Sequence, residues 1–241
     1  MQMGAEQYLA TVRRALSSRR TFNKVFGIGG HKTGTTSLQS IFHLCGLEVG
    51  DQATGELTSF NARRGHYQPL IEYCQGADAF QDSPFAQGRI YAALDAVFPN
   101  SRFILTVRES DAWFRSLESF TAKRHGVPSG AITRALVEQD SYLFPGYVAE
   151  GHVHAYLLEP PSYRAGDPGE AVVRWDKLFD RDHYIAVYER RNAEIRDHFK
   201  ARPEQLLEID LTKEETIQKI TDFLGLPAEF GALPIPHMNQ T

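Results

Sequence analysis

The amino-acid sequence predicts an α/β fold of three layers, in which helices flank a parallel β-sheet and a helical or irregular insertion is added. Residues 24–29 and 102–107 have the apolar composition of buried strands, and each is followed by a turn and a helix. A third strand is predicted within residues 206–211, and a helix follows it as well. Strands that alternate with helices form parallel sheets, whose ligands bind at the carboxyl ends of the strands.

The helix predicted over residues 35–45 has one apolar face. Its apolar residues recur at i, i+3, i+4 and i+7, and they are Leu38, Ile41, Phe42 and Cys45. Gly46 ends the helix. This pattern assigns Cys45 to the core and puts His43 on the opposite, exposed side.

Further elements follow from the same signals. A short strand within residues 78–84 is stopped by Pro84. Helical spacing of apolar residues predicts helices at residues 8–16, 91–97, 113–120 and 184–199. Ser110 is the expected cap of the third of these, and Thr212 with Glu215 forms a predicted capping box for a last helix, closed by Gly225 and Pro227.

Residues 127–169 carry several prolines among many aromatic side chains, which predicts an irregular or partly helical insertion. Such segments often bind substrate. We expect a single domain over residues 1–241, with an N-terminal helix in residues 1–20 and this insertion on the substrate side.

The bulk composition narrows the class of protein. With 241 residues, 42% of them hydrophobic, the chain can bury a sizeable core. A net charge of −4 without long runs of like charge argues against a nucleic-acid partner. Cys45 and Cys74 have no metal-ligand spacing, and the absence of a cysteine framework is typical of a reducing compartment, so we expect a cytoplasmic protein. No stretch of about 20 apolar residues is present, which predicts a soluble chain without a membrane span.

The segment from Gly29 to Ser37, GGHKTGTTS, joins the first strand to its helix. Amides at a helix start and the positive end of the helix dipole attract anions, the hydroxyls of Thr35 and Thr36 can donate hydrogen bonds, and Lys32 adds a full charge. The segment therefore predicts an anion-binding loop. The alternative is a glycine turn with a solvated lysine, which does not require this cluster of hydroxyls.

The loop differs from that of nucleoside-triphosphate-binding proteins. Their motif has Lys and then Ser or Thr directly after the last glycine, whereas Lys32 precedes Gly34 here. The next strong strand ends in Arg108 rather than in an acid that could hold magnesium. Both differences argue against a kinase.

Lys32 to Thr36 match in order the Lys-(Ser/Thr)-Gly-Thr-Thr core of the 5′-phosphosulfate loop of sulfotransferases that use 3′-phosphoadenosine 5′-phosphosulfate (PAPS), and the chain resembles the soluble branch of that family. The resemblance implies a P-loop-like sheet, PAPS as donor and adenosine 3′,5′-bisphosphate as product. It also implies that PAPS is bound by the residues of the loop, which are Gly30, His31, Lys32, Thr33, Gly34, Thr35, Thr36 and Ser37. No metal is implied.

Two more features carry the resemblance, which covers roughly two thirds of the chain. An Arg at a strand end and a Ser eight residues later hold the 3′-phosphate in the family, and Arg108 and Ser116 match them. The segments 182–199 and 206–227, with their Leu-Gly-Leu-Pro closure, are similar to the family's terminal part. The tail departs from it: members that act on phenols and steroids carry an Arg-Lys-Gly near the end that completes the 3′-phosphate site, whereas this chain has His237 and Asn239, which are weak candidates for nucleotide contacts.

The resemblance also suggests roles in catalysis. Lys32 neutralises the leaving phosphate oxygen. The position that carries the family's base is taken here by Asp82, two residues before Pro84, and we expect it to be the general base, with a pKa that burial raises toward neutrality. The alternative is that Asp82 only caps the turn before Pro84. His31 and His125 are the reserve candidates for the base.

The sequence leaves two other functions and the acceptor open. A P-loop small-molecule kinase would share the fold and the loop, and a non-catalytic module would bind the nucleotide without turnover. The acceptor of a sulfotransferase would be a small molecule or a carbohydrate with a hydroxyl or amine. Aromatic residues of the insertion either line its pocket or pack internally, and they are Tyr142, Phe144, Tyr147 and Tyr156.

Overall fold

A parallel sheet of four strands lies at the centre of the computed structural model, which describes residues 21–159, 163–164, 167–168, 171–226 and 228–236. The N-terminal helix predicted within residues 1–20, and the tail residues His237 and Asn239, lie outside this part of the chain. The first elements in chain order are β1 (Val25–Gly27), α1 (Thr35–Leu44), α2 (Gln52–Ala62), α3 (Gln68–Gln75), β2 (Ala79–Phe80), α4 (Ile90–Val97) and β3 (Arg102–Thr106).

The middle of the chain is mainly helical. It contains α5 (Ser110–His125), α6 (Arg134–Gln139), α7 (Tyr147–His152), a π-helix (Val153–Leu157), the two-residue strands β4 (Leu158–Glu159), β5 (Tyr163–Arg164), β6 (Asp167–Pro168) and β7 (Val172–Val173), and α8 (Arg181–Phe199). The chain continues with β8 (Leu206–Ile209), α9 (Gln218–Leu224) and α10 (Ala228–Gly231). Three single turns of 3-10 helix lie at Trp175–Lys177, Pro203–Gln205 and Leu211–Lys213.

The main sheet has the strand order β2-β1-β3-β8, and every neighbouring pair is parallel. Val25 lies opposite both Ala79 and Arg102, and Phe103 lies opposite Leu206. Parallel strands need crossover connections, and the helices between these strands provide them. The prediction of an α/β fold with a parallel sheet is confirmed.

Side chains on successive strand residues pack on opposite faces of the sheet, which makes three layers. Val25 and Ile104 belong to one buried cluster together with Leu38, Ile41, Phe42 and Cys45 of α1 and Ile220 and Leu224 of α9. Phe26 and Phe103 belong to a second cluster with Leu70, Cys74, Tyr91, Leu94, Ile195 and Phe199. Because both faces are covered by helices, β1 and the middle of β3 are buried without alternation of apolar and polar residues.

The described residues divide into two compact units. The first contains the described chain up to Arg108 and from Glu194 onward, and it holds the four-stranded sheet. The second runs from Glu109 to Ala193 and has its own core, in which the rings of Trp113 and Tyr188 stack at 4.2 Å and those of Tyr156 and Tyr184 at 4.6 Å. The expectation of one domain stays a prediction.

Two helix starts differ from the sequence-based prediction. Helix α5 is capped by Glu109 rather than Ser110, because the Glu109 carboxylate accepts hydrogen bonds from the amides of Asp111 and Ala112. The capping box of Thr212 and Glu215 does not form, and α9 starts later, after Ile217. The Asp210 carboxylate instead accepts from the amide and hydroxyl of Thr212, which ends the strand in a turn of 3-10 helix.

The spacing that predicts a helix at residues 113–120 puts Trp113, Leu117 and Phe120 on one apolar face, and this face is wrong at one position. Trp113 and Leu117 are buried as expected, but Phe120 is half exposed, and Phe114 and Ala122 are buried instead. The predictions for α1 are confirmed: Cys45 is fully buried, and His43 is exposed.

Candidate functional site

Three sequence-predicted features come together at one edge of the main sheet. The glycine-rich loop follows β1, Asp82 follows β2 and Arg108 follows β3. Strand β1 lies between β2 and β3, and all three are parallel, so their carboxyl ends lie side by side. This is the edge at which parallel α/β sheets bind ligands.

Gly29 lets the loop leave β1 in close contact with β3. A Cβ atom at Gly29 would lie 2.0 Å from the hydroxyl oxygen and 2.3 Å from the carbonyl oxygen of Thr106. No side chain can be accommodated at those distances, because the obstruction includes the backbone of β3. The glycine is therefore required by the close approach of loop and strand.

Thr33 shapes the loop from the inside. Its amide and its hydroxyl both donate to the carbonyl oxygen of Gly30, at 3.3 and 2.6 Å, and its hydroxyl oxygen lies 2.6 Å from that of Thr106. The side chain is buried. The resemblance implied that Thr33 contacts PAPS. In this structure its amide and its hydroxyl instead both close the turn. Nothing in the sequence indicated Thr106, because strand composition alone gives no such signal.

Helix α1 starts at Thr35 without a side-chain cap, because its N-cap is Gly34 in the left-handed conformation with φ of 99°. The amides of the first helical turn have no partner within the helix, so they are oriented toward an anion at this edge of the sheet. Lys32 is also left-handed, with φ of 68°. For a residue with a side chain this costs roughly 1 to 2 kcal/mol, a strain typical of ligand-binding loops.

Asp82 is held by three donors. The hydroxyl of Thr35 donates to Oδ2 at 2.7 Å, the amide of Ser83 donates to Oδ1 at 2.8 Å, and Nδ1 of His31 lies 2.8 Å from Oδ1. The sequence had named His31 and Asp82 as separate candidates. The structure pairs them and attaches both to the start of α1.

The pKa of Asp82 is lowered, which corrects the expectation that burial raises it toward neutrality. Burial does act to raise this pKa, but the charge of His31 and the hydrogen bonds from His31, Thr35 and the Ser83 amide outweigh it and bring the pKa from 3.8 to about 2. Hydrogen bonds to the charged form of a carboxylate favour that form. Asp82 is therefore an anion at neutral pH.

Ser83 continues this network on the other side of the imidazole. Its hydroxyl oxygen lies 3.3 Å from Nε2 of His31 and accepts a hydrogen bond from Nε2 of Gln87 at 3.1 Å. Both Ser83 and Gln87 are buried. A continuous chain of hydrogen-bonding groups thus lies beside the loop, formed by Asp82, His31 and Ser83.

The remaining candidates of the donor site are less closely defined. Arg108 is half-buried and directly follows Val107, whose amide donates to the carbonyl oxygen of Ile209 at 2.9 Å. Ser116 is half-buried on α5, in the second unit. Their joint contact with a 3′-phosphate stays a prediction, as do the roles of Gly30, Thr36 and Ser37.

The reserve candidate His125 is nearly buried at the end of α5. Its Nε2 lies 3.5 Å from Oδ2 of Asp140, and Arg124 donates to the same carboxylate. These contacts tie the loop before α7 to α5 within the second unit. A role for His125 as the base stays a prediction.

The aromatic residues of the insertion mostly pack internally. Tyr147 is buried, with the ring of Phe144 against it at 5.2 Å. Tyr156 stacks on Tyr184, and Tyr142 is exposed beside the guanidinium of Arg124. These contacts favour the interpretation that the aromatic residues pack internally over the one in which they line a pocket for the acceptor.

The described residues give little support for catalysis by a thiol or a metal. Burial raises the pKa of Cys45 and of Cys74 to about 12, so both are neutral thiols at pH 7. Among the described residues no cluster of His, Cys, Asp and Glu has the arrangement of a metal site. No helix in the described ranges is both long and apolar enough to cross a membrane.

Comparison with known proteins identifies the relatives of this chain. A family model described as a sulfotransferase domain matches residues 24–241, which include the loop, Asp82 and Arg108. Comparison with curated proteins returned no match.

Proposed function

The chain belongs to the sulfotransferase domain family, and on that premise we propose that it transfers a sulfuryl group from PAPS to a hydroxyl or amine of a small-molecule or carbohydrate acceptor, in line and without a metal. The observation that carries the proposal is the loop after β1, which brings helix amides and Lys32 to the edge of the sheet where Arg108 ends the neighbouring strand. Two cationic side chains at adjacent strand ends suit a ligand with two anionic groups.

The residues of the loop fit a phosphosulfate. Gly29 and Thr33 give the loop its shape, Gly34 leaves the first turn of α1 uncapped, and Lys32 supplies the positive charge. When bound, PAPS supplies the sulfuryl group and a phosphate as leaving group. Lys32 and the amides of the first turn stabilise the charge that develops on the leaving oxygen, because they are held in position before the reaction starts. Arg108 binds the 3′-phosphate.

The acceptor must lose a proton as the new bond forms, and we assign this to the Asp82 and His31 pair beside the loop. The carboxylate of Asp82 is occupied by donors from His31, Thr35 and Ser83, and a magnesium ion would have to compete with them. This supports a metal-independent transfer over the kinase alternative. The intact loop and the paired base support an enzyme over a module that only binds.

The proposal is tested by incubating the protein with PAPS and panels of phenols, alcohols, sugars and amines, with mass spectrometry to detect acceptors that gain one sulfuryl group. We expect product in the presence of EDTA as well as magnesium. Product that requires magnesium and ATP, and none from PAPS, would establish the kinase instead. Tight binding of adenosine 3′,5′-bisphosphate without any turnover would establish the binding module.

Cytoplasmic location also remains a proposal. Two buried thiols in a chain without disulfides suit a reducing compartment. Fractionation of cells that express the protein, followed by immunoblotting, tests it.

A further inference from the structure

We infer that His31 is the catalytic base of the transfer, through its Nε2 atom, and that Asp82 is a positioning residue that orients the imidazole. The inference rests on the proposed sulfuryl transfer and deepens it by dividing the roles within the pair. It reverses the assignment from sequence, in which Asp82 was the base and His31 the reserve.

Both carboxylate oxygens of Asp82 are already occupied by hydrogen bonds. Its two carboxylate oxygens accept from the Thr35 hydroxyl, the Ser83 amide and Nδ1 of His31. A proton arriving on Asp82 would have to break or invert one of these hydrogen bonds. A carboxylate in this environment is a weak base, and its lowered pKa agrees with that.

The tautomer of the His31 imidazole is set by its contact with Asp82. A carboxylate can only accept, so Nδ1 of His31 carries the hydrogen in the neutral ring, and Nε2 keeps a lone pair. The Ser83 hydroxyl, 3.3 Å from Nε2, receives a hydrogen bond from Gln87 and can direct its own proton to Nε2. A contact of 3.3 Å between these atoms is long, so an acceptor hydroxyl can readily replace it.

The position of His31 next to Lys32, the cation at the leaving group, also favours it as the base. His31 directly precedes Lys32 in the loop, and Asp82 is fastened through Thr35 to the first residue of α1. One rigid segment therefore carries both the base and the cation. The side chain of His31 is 27% exposed, whereas Ser83 is buried.

The proton and electron pairs balance in a single transfer. The acceptor O–H bond breaks and its proton moves to Nε2 of His31, while the oxygen forms a bond to sulfur. The bond between sulfur and the bridging oxygen breaks, and its electron pair stays on the phosphate oxygen near Lys32. Asp82 stabilises the resulting imidazolium, which returns the proton to solvent.

The groups around His31 set the expected pH dependence. A carboxylate, Asp82, contacts the ring from the segment after β2, the Ser83 hydroxyl meets its other nitrogen, and a cation, Lys32, follows it in the chain. Only the neutral ring can accept the proton. The rate with an alcohol acceptor should therefore rise with pH.

The experiment compares wild-type protein with His31→Gln, His31→Ala, Asp82→Asn and the control His43→Gln, an exposed histidine of α1. For each, kcat/KM with an alcohol acceptor is measured against pH, and calorimetry measures the affinity for adenosine 3′,5′-bisphosphate. His31→Gln should lower turnover about 10²- to 10⁴-fold and remove the acidic limb of the profile. Added imidazole should restore part of the activity of His31→Ala.

Asp82→Asn separates positioning from base chemistry. We expect reduced turnover, an acidic limb that persists, and no rescue by imidazole, because the imidazole is still present but loses its anionic partner. His43→Gln should match wild type in every measurement. Nitrogen NMR of labelled histidine should show Nδ1–H as the main neutral form of His31 in wild type, and a loss of that preference in Asp82→Asn.

Each other outcome has a distinct meaning. If wild type transfers sulfuryl groups but His31→Gln keeps its turnover and acidic limb, the inference is overturned while the proposed function stands. The same holds if Asp82→Asn loses the limb and small carboxylates rescue it. If wild-type protein transfers no sulfuryl group to any acceptor, the proposed function fails, and the base assignment fails with it.

Discussion

The hydroxyl of Thr35 donates to the carboxylate of Asp82 across 2.7 Å, and this bond joins the first residue of α1 to the segment that follows β2. Thr35 is buried and Asp82 is half-buried, so the hydrogen bond is partly shielded from solvent.

Thr35→Val should remove this bond at nearly constant side-chain volume. The half-buried carboxylate then lacks one donor, so we expect the free energy of unfolding to fall by about 1.5 to 3 kcal/mol, the scale of a hydrogen bond to a charged group. Urea unfolding followed by circular dichroism measures it. Thr35→Ser keeps the hydroxyl and should cost much less. A loss for Thr35→Ser with little loss for Thr35→Val would show that the methyl group, not the bond, matters.

Asp82 should make stability depend on pH in the acid range. Its pKa in the folded protein, about 2, is below the usual value near 3.9 of the unfolded chain. The folded state therefore gains stability above about pH 4 and loses it as the pH falls from about 4 to 2, where the unfolded state takes up a proton first.

This acid dependence is checked by measuring unfolding free energies of wild type and Asp82→Asn between pH 5 and pH 2. The difference between the two proteins should shrink steadily as the pH falls. A difference that stays constant over this range would contradict the lowered pKa.

Arg108→Gln should weaken the binding of adenosine 3′,5′-bisphosphate and leave AMP nearly unaffected, because the proposed contact is with the 3′-phosphate alone. Loss of a charged hydrogen bond of about 1.5 to 3 kcal/mol corresponds to roughly 10- to 150-fold in Kd. Calorimetry with both nucleotides measures it. Arg102→Gln, at the other end of β3, is the matched control. Equal losses for the two nucleotides would remove Arg108 from the 3′-phosphate site.

Lys32 should contribute charge at a conformational cost. Lys32→Ala and Lys32→Gly should both lower turnover with every acceptor, by about 10²- to 10³-fold, because the leaving group is always the same. Their stabilities should differ: glycine adopts φ of 68° without strain, so Lys32→Gly should be about 1 kcal/mol more stable than Lys32→Ala. Steady-state kinetics and thermal unfolding test the two parts separately, and an acceptor whose turnover is unaffected would contradict the assigned role.

Much of the fold could be predicted because its signals are local. The apolar spacing in α1 assigned Cys45 to the core and His43 to the surface, and the apolar composition of β1 and β3 marked them as buried strands. Where nearby groups compete for the same role, local patterns were insufficient. Glu109 caps α5 in place of Ser110, and Asp210 draws Thr212 into a turn, because a carboxylate accepts amide hydrogens better than a hydroxyl does.

The sequence by itself determined the anion-binding character of the loop, because glycines, Lys32 and a helix start are adjacent in the chain. Only the tertiary structure decided how Asp82 and His31 are paired and why the pKa of Asp82 falls instead of rising. Thr35 and Asp82 are 47 positions apart, and their contact exists because β1 and β2 are neighbours in the sheet. A pKa depends on the donors and charges within a few ångströms, and those neighbours are set by the packing of strands rather than by spacing along the chain.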